Sequence, residues 1–348
     1  MSGPGPTNSL VDVAGLRVGH ASRVGAGWLT GTTVVLAPPG GATAGVDVRG
    51  GGPGTRETDL LDPRNLVERV HAVVLSGGSA YGLASAEGVM LRLERDGVGL
   101  VVGAGPGEVV PIVPAAIIFD LGRGGDFRRR PVAELGEAAY DDAVSAQGAG
   151  PARQGCVGAG TGAVAGGLKG GVGSASLRLP SGVTVAALAV VNSVGSAVDP
   201  RTGRLWALDA GVEGEFDQLA PPGSERVSAG PAPPEARGLN TTIGVVATNA
   251  PLTKAQCRRL AEAGQDGLAR AIRPAHTMFD GDTIFGLSTA SASGAADPAT
   301  LNSLLAAAAA CFERAIGHGL LAATTTTTPA GTWRSYAETH LGVGSAGT

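Results

Sequence analysis

The sequence predicts a mixed α/β (α+β) fold in which helices cover one or more β-sheets. Several short runs are apolar and rich in β-branched residues, and each is bounded by Gly, Pro or Ser, as expected for buried strands. Between them lie longer segments whose apolar residues recur at helical spacing. Because strands that are apolar on both faces must be covered, a layered arrangement is expected.

The elements follow from these patterns in chain order. Strands are predicted at residues 32–37, 71–75, 98–102, 183–191, 241–248 and 283–289. Helices are predicted at residues 79–95, 131–147, 253–272 and 301–322. Pro131 suits a first-turn position, and Thr253 with Gln256 forms a capping-box pattern. The run 324–328 is compatible with either a strand or a loose end.

Composition narrows the classes of partner. A net charge of −4 argues against nucleic acid and anionic membrane surfaces, and aromatic residues at 3% leave few platforms for base stacking. Small apolar residues and glycine dominate, which favours a homo-oligomer because much surface must be buried. We see neither a signal peptide nor an apolar run approaching the roughly 18 residues of a membrane span, so a cytoplasmic protein is expected.

Neither a metal nor another cofactor is expected. The three cysteines, Cys156, Cys257 and Cys311, are far apart and lack the spacing of a disulfide framework or zinc site. His276 lies four residues before Asp280, but no second His or Cys has a fitting spacing.

The junction Asn240-Thr241 is the most informative local feature. It follows a segment rich in Pro, Gly, Ser and Glu (213–237) that is typical of an exposed linker. A threonine released as a new N-terminus carries a hydroxyl nucleophile and, in its α-amino group, a base that titrates near pH ~7.7–8.0. Cleavage at this junction therefore predicts a self-activating hydrolase.

A glycine loop is a second candidate feature, and it consists of Gly77, Gly78, Ser79 and Tyr81. The loop joins a strand to a helix start, where free N–H groups suit an oxyanion or a carboxylate. A plain tight turn is the alternative.

Four further polar residues stand at informative places. Lys169 lies in a glycine-dense segment that can approach a ligand closely, with a solvated loop lysine as the alternative. Asn192 ends an apolar strand and is either an oxyanion donor or a turn former. Asp280 and Asp282 stand at a strand edge, where paired carboxylates orient an amine or tune a neighbouring pKa unless they are solvated turn residues.

Taken together, these motifs resemble the P1 (S58) peptidase family, which includes the L-aminopeptidase/D-esterase and the β-peptidyl aminopeptidases. The resemblance covers roughly residues 10–322 and rests on VDVAGLRVGH (11–20), TGTTV (30–34), SGGSAYGL (76–83), NTTI (240–243) and HTMFDGDT (276–283). The Asn-Thr junction and the Asp-Gly-Asp motif are most similar to the nylon-oligomer (6-aminohexanoate-oligomer) hydrolase branch.

The resemblance implies a four-layer αββα sandwich, similar to the Ntn hydrolases but differently connected. It implies one hydrolase domain over residues 1–348, self-cleaved into 1–240 and 241–348, with the resulting αβ heterodimers assembled into a homo-oligomer. The nucleophile is then Thr241, while Lys169 and Asn192 match the lysine and asparagine of the nylon branch. The aminopeptidase branch has a serine nucleophile and a Ser and Glu near the paired aspartates, and this chain departs from it at all three.

The mechanism implied by the resemblance needs no cofactor. Thr241 Oγ attacks the Asn240 carbonyl, the ester hydrolyses, and the same oxygen then attacks an amide of a small peptide or oligoamide. The free α-amino group, helped by Lys169, acts as base.

Other site residues have supporting roles in this scheme. Asn192 and the backbone N–H groups around Gly78 hold the oxyanion. Asp280 and Asp282 position the ammonium of the nucleophile or the free amine of the substrate.

Two other interpretations remain open. Ornithine acetyltransferase shares this kind of fold and cuts before a threonine, but its Ala-Thr motif in a Met-rich setting is missing here. An uncleaved binding protein on the same scaffold is the non-enzymatic alternative. The substrate class stays undecided, because pocket shape selects among α-peptides, β-peptides, D-amino-acid derivatives and nylon oligomers.

Overall fold

Eleven of the described strands build two stacked sheets, and the other six form three two-stranded sheets. The computed structural model describes residues 2–145, 148, 150–219, 239–290 and 296–341. In chain order the strands are β1 (Arg17–Gly25), β2 (Trp28–Leu36), β3 (Ala42–Val48), β4 (Thr55–Arg56), β5 (Arg69–Val70), β6 (Ala72–Ser76), β7 (Leu100–Val101), β8 (Val109–Val110), β9 (Ala115–Ile117), β10 (Val164–Ala165), β11 (Leu168–Lys169), β12 (Val172–Arg178), β13 (Thr184–Val190), β14 (Ile243–Thr248), β15 (Thr283–Ser288), β16 (Thr326–Thr328) and β17 (Gly331–Trp333).

The helices flank these sheets. The α-helices are α1 (Ser85–Arg95), α2 (Ala133–Val144), α3 (Lys254–Ala271), α4 (Pro298–Leu321) and α5 (Tyr336–His340). Short 3₁₀ helices are Leu10–Asp12, Asp59–Leu61, Ser79–Ala84, Gly158–Gly160 and Trp206–Ala210.

The strand order places the later half of the chain at the centre of one sheet. Sheet I has the order β1-β2-β6-β9-β4, and sheet II has the order β12-β13-β14-β15-β3-β5. Neighbours are antiparallel except for the parallel pairs β6–β9 and β14–β15. Strands β14 and β15 therefore lie between β13 and β3, which precede the Asn240-Thr241 junction in the sequence.

The fold is an αββα sandwich, as expected. Helices α1 and α2 pack on sheet I, while α3 and α4 pack on sheet II. Between the sheets, buried apolar side chains of both interdigitate, including Leu75 from sheet I and Leu188, Val245 and Phe285 from sheet II. Burial of such side chains on both faces explains why the central strands are apolar throughout.

The sequence patterns locate the helices well and miss several strands. Helix α3 begins at the Thr253 capping box, and the segment 79–95 divides into a 3₁₀ turn and α1. The apolar pattern does not predict strands β1, β3 and β12, because glycines interrupt their apolar residues. A Cβ at Gly45 or Gly173 would collide with the backbone of α3 or α4, so close helix–sheet packing requires glycine there. Most of the linker 213–237 lies outside the described residues.

Helix α4 is a buried core helix. By length and composition it is apolar enough to cross a membrane, but 72% of its apolar window, whose mean hydropathy is 1.3, is buried inside the fold. Its Asp297 N-cap accepts hydrogen bonds from two first-turn N–H groups, and Pro298 occupies the first helical position.

A buried ion pair ties α4 to residues before the junction. Arg314 is fully buried and donates from Nε and Nη2 to the two carboxylate oxygens of Glu215, at 2.6 and 2.7 Å. It also donates to the carbonyl of Ser176 and the side chain of Asn8, both at 2.8 Å. His318 Nε2 lies 2.6 Å from Glu215 Oε1. This cluster links residues 1–240 to residues 241–348 through the side chains of Arg314 and His318.

We predict that Arg314→Leu lowers the free energy of unfolding by about 3–5 kcal/mol, because it leaves the Glu215 carboxylate buried without its partner. Urea denaturation in a Thr241→Ala background, which keeps one covalent chain, measures the change. Arg259→Leu is the matched control. Arg259 pairs with Glu262 at an exposed site, so loss of this ion pair costs at most about 1 kcal/mol. Equal losses in the two variants would contradict this role of the buried pair.

The same cluster predicts acid sensitivity. Burial raises the pKa of Glu215, but hydrogen bonds from His318 and Arg314 and the charge of Arg314 outweigh it and hold that pKa well below its ordinary value of 4.5. The stabilisation is therefore complete above pH 4.5 and is lost as the pH falls below it. We expect unfolding free energy to drop between pH 5 and pH 3, with a shallower slope in Glu215→Gln. Identical slopes would exclude Glu215 as the titrating group.

Candidate active site

The order of strands in sheet II brings the candidate residues together. Strand β14 runs antiparallel to β13 and parallel to β15. The start of β14 therefore lies beside the end of β13 and the start of β15. Thr241, Asn192 and Asp282 stand just outside these three strand ends.

Thr241 is held with its hydroxyl against the peptide bond that precedes it. Its side chain is buried, and its backbone N–H donates to the carbonyl oxygen of Asn192 at 2.7 Å. Thr241 Oγ1 donates to the carbonyl oxygen of Asn240. The hydroxyl thus lies next to the carbonyl group of the Asn240–Thr241 peptide bond.

Asn240 is anchored on both its main chain and its side chain. Its N–H donates to the carbonyl of Phe279 at 3.0 Å. Its Oδ1 accepts a hydrogen bond from Arg123 Nη2 at 2.8 Å. These contacts fix the residue on the acyl side of the Asn240–Thr241 bond.

The Asn192 side chain offers a buried donor. Its Oδ1 accepts from Arg123 Nη1 at 2.6 Å and from the N–H of Val164 at 3.0 Å, which assigns the orientation of the amide from its hydrogen-bond network. Its Nδ2 is buried and has no hydrogen-bond partner among the described residues. A preoriented amide donor with no protein partner suits an oxyanion.

Asp282 fixes the backbone immediately after Thr241. Its Oδ1 accepts from the N–H of Thr242 at 2.8 Å, and its Oδ2 lies 2.8 Å from His276 Nδ1. Burial raises the pKa of Asp282, although the hydrogen bonds from His276 and Thr242 oppose that shift. Since the single N–H of Thr241 is donated to Asn192, this carboxylate acts on the neighbouring backbone in the uncut chain.

Asp280 organises the loop that precedes β15. Its Oδ1 accepts from the N–H of Val194 at 3.1 Å. Its Oδ2 accepts from the N–H and the hydroxyl of Thr277, at 3.1 and 2.5 Å. The carboxylate therefore joins the loop that follows β13 to the loop that carries Phe279. Both aspartates are buried, so they are not the solvated turn residues of the alternative interpretation.

Lys169 is buried rather than solvated. Its Nζ donates to the carbonyl oxygens of Gly160, Ala163 and Gly170, at 3.0, 3.0 and 2.7 Å. Burial lowers the pKa of Lys169 to about 8. The three acceptors use all three protons of the ammonium group, so in the uncut chain Lys169 is a bound cation and not a free base.

The oxyanion role expected for N–H groups around Gly78 stays a prediction, although the N–H groups of Gly77, Gly78 and Ser79 already have protein acceptors. Gly77 donates to the Gly31 carbonyl at 2.9 Å, Gly78 to Asp120 Oδ1 at 2.7 Å and Ser79 to the Ile118 carbonyl at 3.0 Å. Tyr81 is 54% exposed, and the Arg130 guanidinium lies 3.6 Å from the centre of its ring. The loop positions Asp120.

Asp120 and Arg123 were missed by the sequence analysis. Both follow β9 of sheet I, and Arg123 reaches Asn192 and Asn240 at the strand ends of sheet II. Burial raises the pKa of Asp120, which also accepts from the hydroxyl of Thr30 at 2.6 Å. Burial lowers the pKa of Arg123 to about 10, which leaves it charged at neutral pH. The signal available was an arginine set between glycines, Gly122-Arg123-Gly124, just after an apolar strand.

Other features of the described structure lie apart from this centre. Within the described ranges, no three His, Cys, Asp or Glu side chains cluster as metal ligands. A cavity of about 650 Å³ lies between α4 and the β12–β13 hairpin, and none of the site residues lines it.

Relatives with curated descriptions match most of the chain. An uncharacterized aminopeptidase of Mycobacterium leprae is 54% identical over 340 residues, covering 91% of this chain and 91% of the relative. A 6-aminohexanoate-oligomer endohydrolase of Paenarthrobacter ureafaciens is 34% identical over 280 residues, covering 75% of this chain and 69% of the relative.

Solved structures show the same fold. A Burkholderia sp. beta-aminopeptidase superposes with a TM-score of 0.72 at 22% identity, covering 96% of this chain and 92% of that one. The L-aminopeptidase D-Ala-esterase/amidase of Ochrobactrum anthropi, described as a variant of the Ntn hydrolase fold, superposes with a TM-score of 0.73 at 20% identity over the same shares. The model of peptidase family S58 matches residues 8–334, and the chain belongs to that family of amide-bond hydrolases.

Proposed function

We propose that this chain is a self-processing amidohydrolase in which Thr241 becomes an N-terminal nucleophile. The observation that carries the proposal is the environment of the Asn240–Thr241 bond. Its N–H is fixed by the Asn192 carbonyl at 2.7 Å, its carbonyl contacts the Thr241 hydroxyl, and Asn240 is anchored by Arg123. Such immobilisation supplies the proximity on which an intramolecular attack depends.

Self-processing begins with attack of Thr241 Oγ1 on the Asn240 carbonyl carbon. The C–N bond breaks, the Thr241 nitrogen takes the proton and becomes an amine, and Asn240 remains as an ester on Oγ1. Water then cleaves the ester, which frees the Asn240 carboxylate and restores the hydroxyl. The Asn192 Nδ2, a buried donor with no partner among the described residues, stabilises the oxyanion of each tetrahedral intermediate in this proposal.

Turnover repeats the same chemistry on a substrate amide. The Thr241 amine, held at the Asn192 carbonyl, accepts the proton of Oγ1 and passes it to the leaving amine. Lys169 contributes a fixed positive charge through its backbone contacts, and Asp282 keeps the backbone of Thr242 in register. Small peptides and oligoamides are the proposed substrates.

The cut halves are expected to stay together. Strands β14 and β15 lie between β13 and β3, so separation would break two complete strand pairings as well as the Arg314–Glu215 pair. The proposed product is an αβ heterodimer, and assembly of such heterodimers into a homo-oligomer is part of the proposal.

We predict that Thr241→Ala leaves the chain uncut and abolishes amide hydrolysis, while Thr241→Ser is still cut and active. Denaturing gel electrophoresis follows cleavage, and release of p-nitroaniline from aminoacyl anilides follows turnover. Thr242→Val is the control, because Thr242 Oγ1 has no hydrogen-bond partner in the described part of the chain and valine has nearly the same shape. Cleavage or turnover by Thr241→Ala would refute the assignment.

For Asn192→Ala, we predict a fall in kcat of about 10²–10³, since one oxyanion donor is lost while the main-chain contact to Thr241 persists. Steady-state kinetics on whichever fraction of the variant is cut separates kcat from KM. An unchanged kcat with a raised KM would assign Asn192 to substrate binding instead.

A further inference from the structure

The Arg123 guanidinium binds two groups of the site at once. Its Nη1 donates to the Gly162 carbonyl at 2.7 Å and to Asn192 Oδ1 at 2.6 Å. Its Nη2 donates to Asn240 Oδ1 at 2.8 Å. Nη1 of the planar guanidinium is thus fixed to Gly162 and Asn192. Nη2 faces the side chain of Asn240, the residue on the acyl side of the Asn240–Thr241 bond.

Arg123 keeps its orientation when Asn240 departs. Gly162 and Asn192 do not move with the cut end, and Asn192 is itself fixed by the N–H of Val164 at 3.0 Å. After cleavage, Nη2 therefore points at the space that the Asn240 side chain occupied. A preoriented guanidinium favours oxygen acceptors, and bonds from a charged donor are stronger than those between neutral groups.

The residue that occupies this space during turnover is the acyl residue of the substrate. Processing leaves Asn240 as an acyl group on Thr241 Oγ1, and turnover leaves the acyl residue of the substrate on the same oxygen. In both, the Oγ1–C bond forms as the C–N bond breaks, the hydroxyl proton passes to the leaving nitrogen, and water regenerates the hydroxyl. Asn240 in the uncut chain is consequently a bound example of the preferred acyl residue.

We infer that the mature enzyme prefers α-aminoacyl residues with an oxygen acceptor on the γ-carbon, which are asparaginyl and aspartyl. This inference rests on the proposed function and adds its substrate class. The Phe279 carbonyl accepts the N–H of Asn240 at 3.0 Å, and the same carbonyl receives the α-nitrogen of the substrate. An apolar isostere such as leucine leaves the Nη2 proton without an acceptor, which specificity sites penalise strongly.

The test compares p-nitroanilides of Asn, Asp, Leu and Ala on the mature wild-type enzyme. Leucine is the matched control for asparagine because the two side chains have nearly the same shape. We expect kcat/KM for the Asn and Asp anilides to exceed that for the Leu anilide by about 10- to 100-fold, the range for a hydrogen bond to a charged group. In Arg123→Met, the Asn/Leu ratio should fall to about 1, and Arg123→Lys should give an intermediate ratio.

A second series does not depend on the anilides or on folding of the Arg123 variants. The rate of self-cleavage is compared in Asn240→Asp, Asn240→Leu and Asn240→Ala, all of which keep Arg123. We expect Asn240→Asp to be cut about as readily as the wild type and Asn240→Leu to be cut about 10- to 100-fold more slowly. Once cut, every variant should show the wild-type Asn/Leu ratio, because residue 240 has left the acyl position.

The outcomes separate the inference from the proposed function. The inference would be overturned if the enzyme is cut and active but its kcat/KM ratio for the Asn and Leu anilides is near 1. It would also be overturned if Arg123→Met shows the same ratio as the wild type. Both results would leave the proposed hydrolase function intact. Uniform cleavage rates across the residue-240 series would also overturn the inference. A chain that neither cuts at Thr241 nor hydrolyses any anilide would instead overturn the proposed function.

Discussion

The hydrogen bond from the Thr241 N–H to the Asn192 carbonyl, 2.7 Å long, is the contact on which the candidate site depends. It extends the β13–β14 pairing two residues beyond the last strand pair, Val190 with Ile243. The pairing fixes the position of Thr241 relative to β13. On its other edge, β14 pairs with the parallel strand β15, which places Asp282 where its carboxylate accepts the N–H of Thr242. In the mechanism that we propose, the peptide N–H held there becomes an amine held at the same carbonyl, so one contact would serve both the leaving nitrogen of processing and the base of turnover.

Residues that follow strands of sheet I complete the site at the strand ends of sheet II. Arg123 and Asp120 leave sheet I after β9, and the glycine loop after β6 fixes Asp120 through the Gly78 N–H. Arg123 then orients the Asn192 amide, so that its oxygen is occupied and its nitrogen is left as a donor. The site consequently lies at the ends of the central strands of sheet II, beside the loop that follows β9 of sheet I. The buried cations Lys169 and Arg123 donate to backbone carbonyl and side-chain amide oxygens, as expected for ionised groups removed from water.

Much of the fold was predictable, and part of the site was not. The Thr253 capping box located the start of α3, and the Ala- and Leu-rich run located α4, although the predicted start at 301 missed the Asp297 cap and the first turn. Strand β12 was hidden because Gly173, required by the close approach of α4, breaks the apolar pattern.

Thr241, Lys169, Asn192 and the two aspartates were identified from motifs, and the structure places Thr241, Asn192 and Asp282 at adjoining strand ends. Arg123 was missed despite its flanking glycines, because its partners Asn192 and Asn240 come within reach only when the loop after β9 crosses to a different sheet. The oxyanion role expected for Gly78 stays a prediction, and sequence alone does not reveal that Asp120 already accepts its N–H.

The most direct measurement is an intact mass spectrum of the purified wild-type protein combined with N-terminal sequencing. The account predicts two tightly associated fragments, residues 1–240 and 241–348, with the second beginning at Thr241. A single species of 34.1 kDa that stays intact on prolonged incubation would contradict the central claim, as would a cut at any other bond.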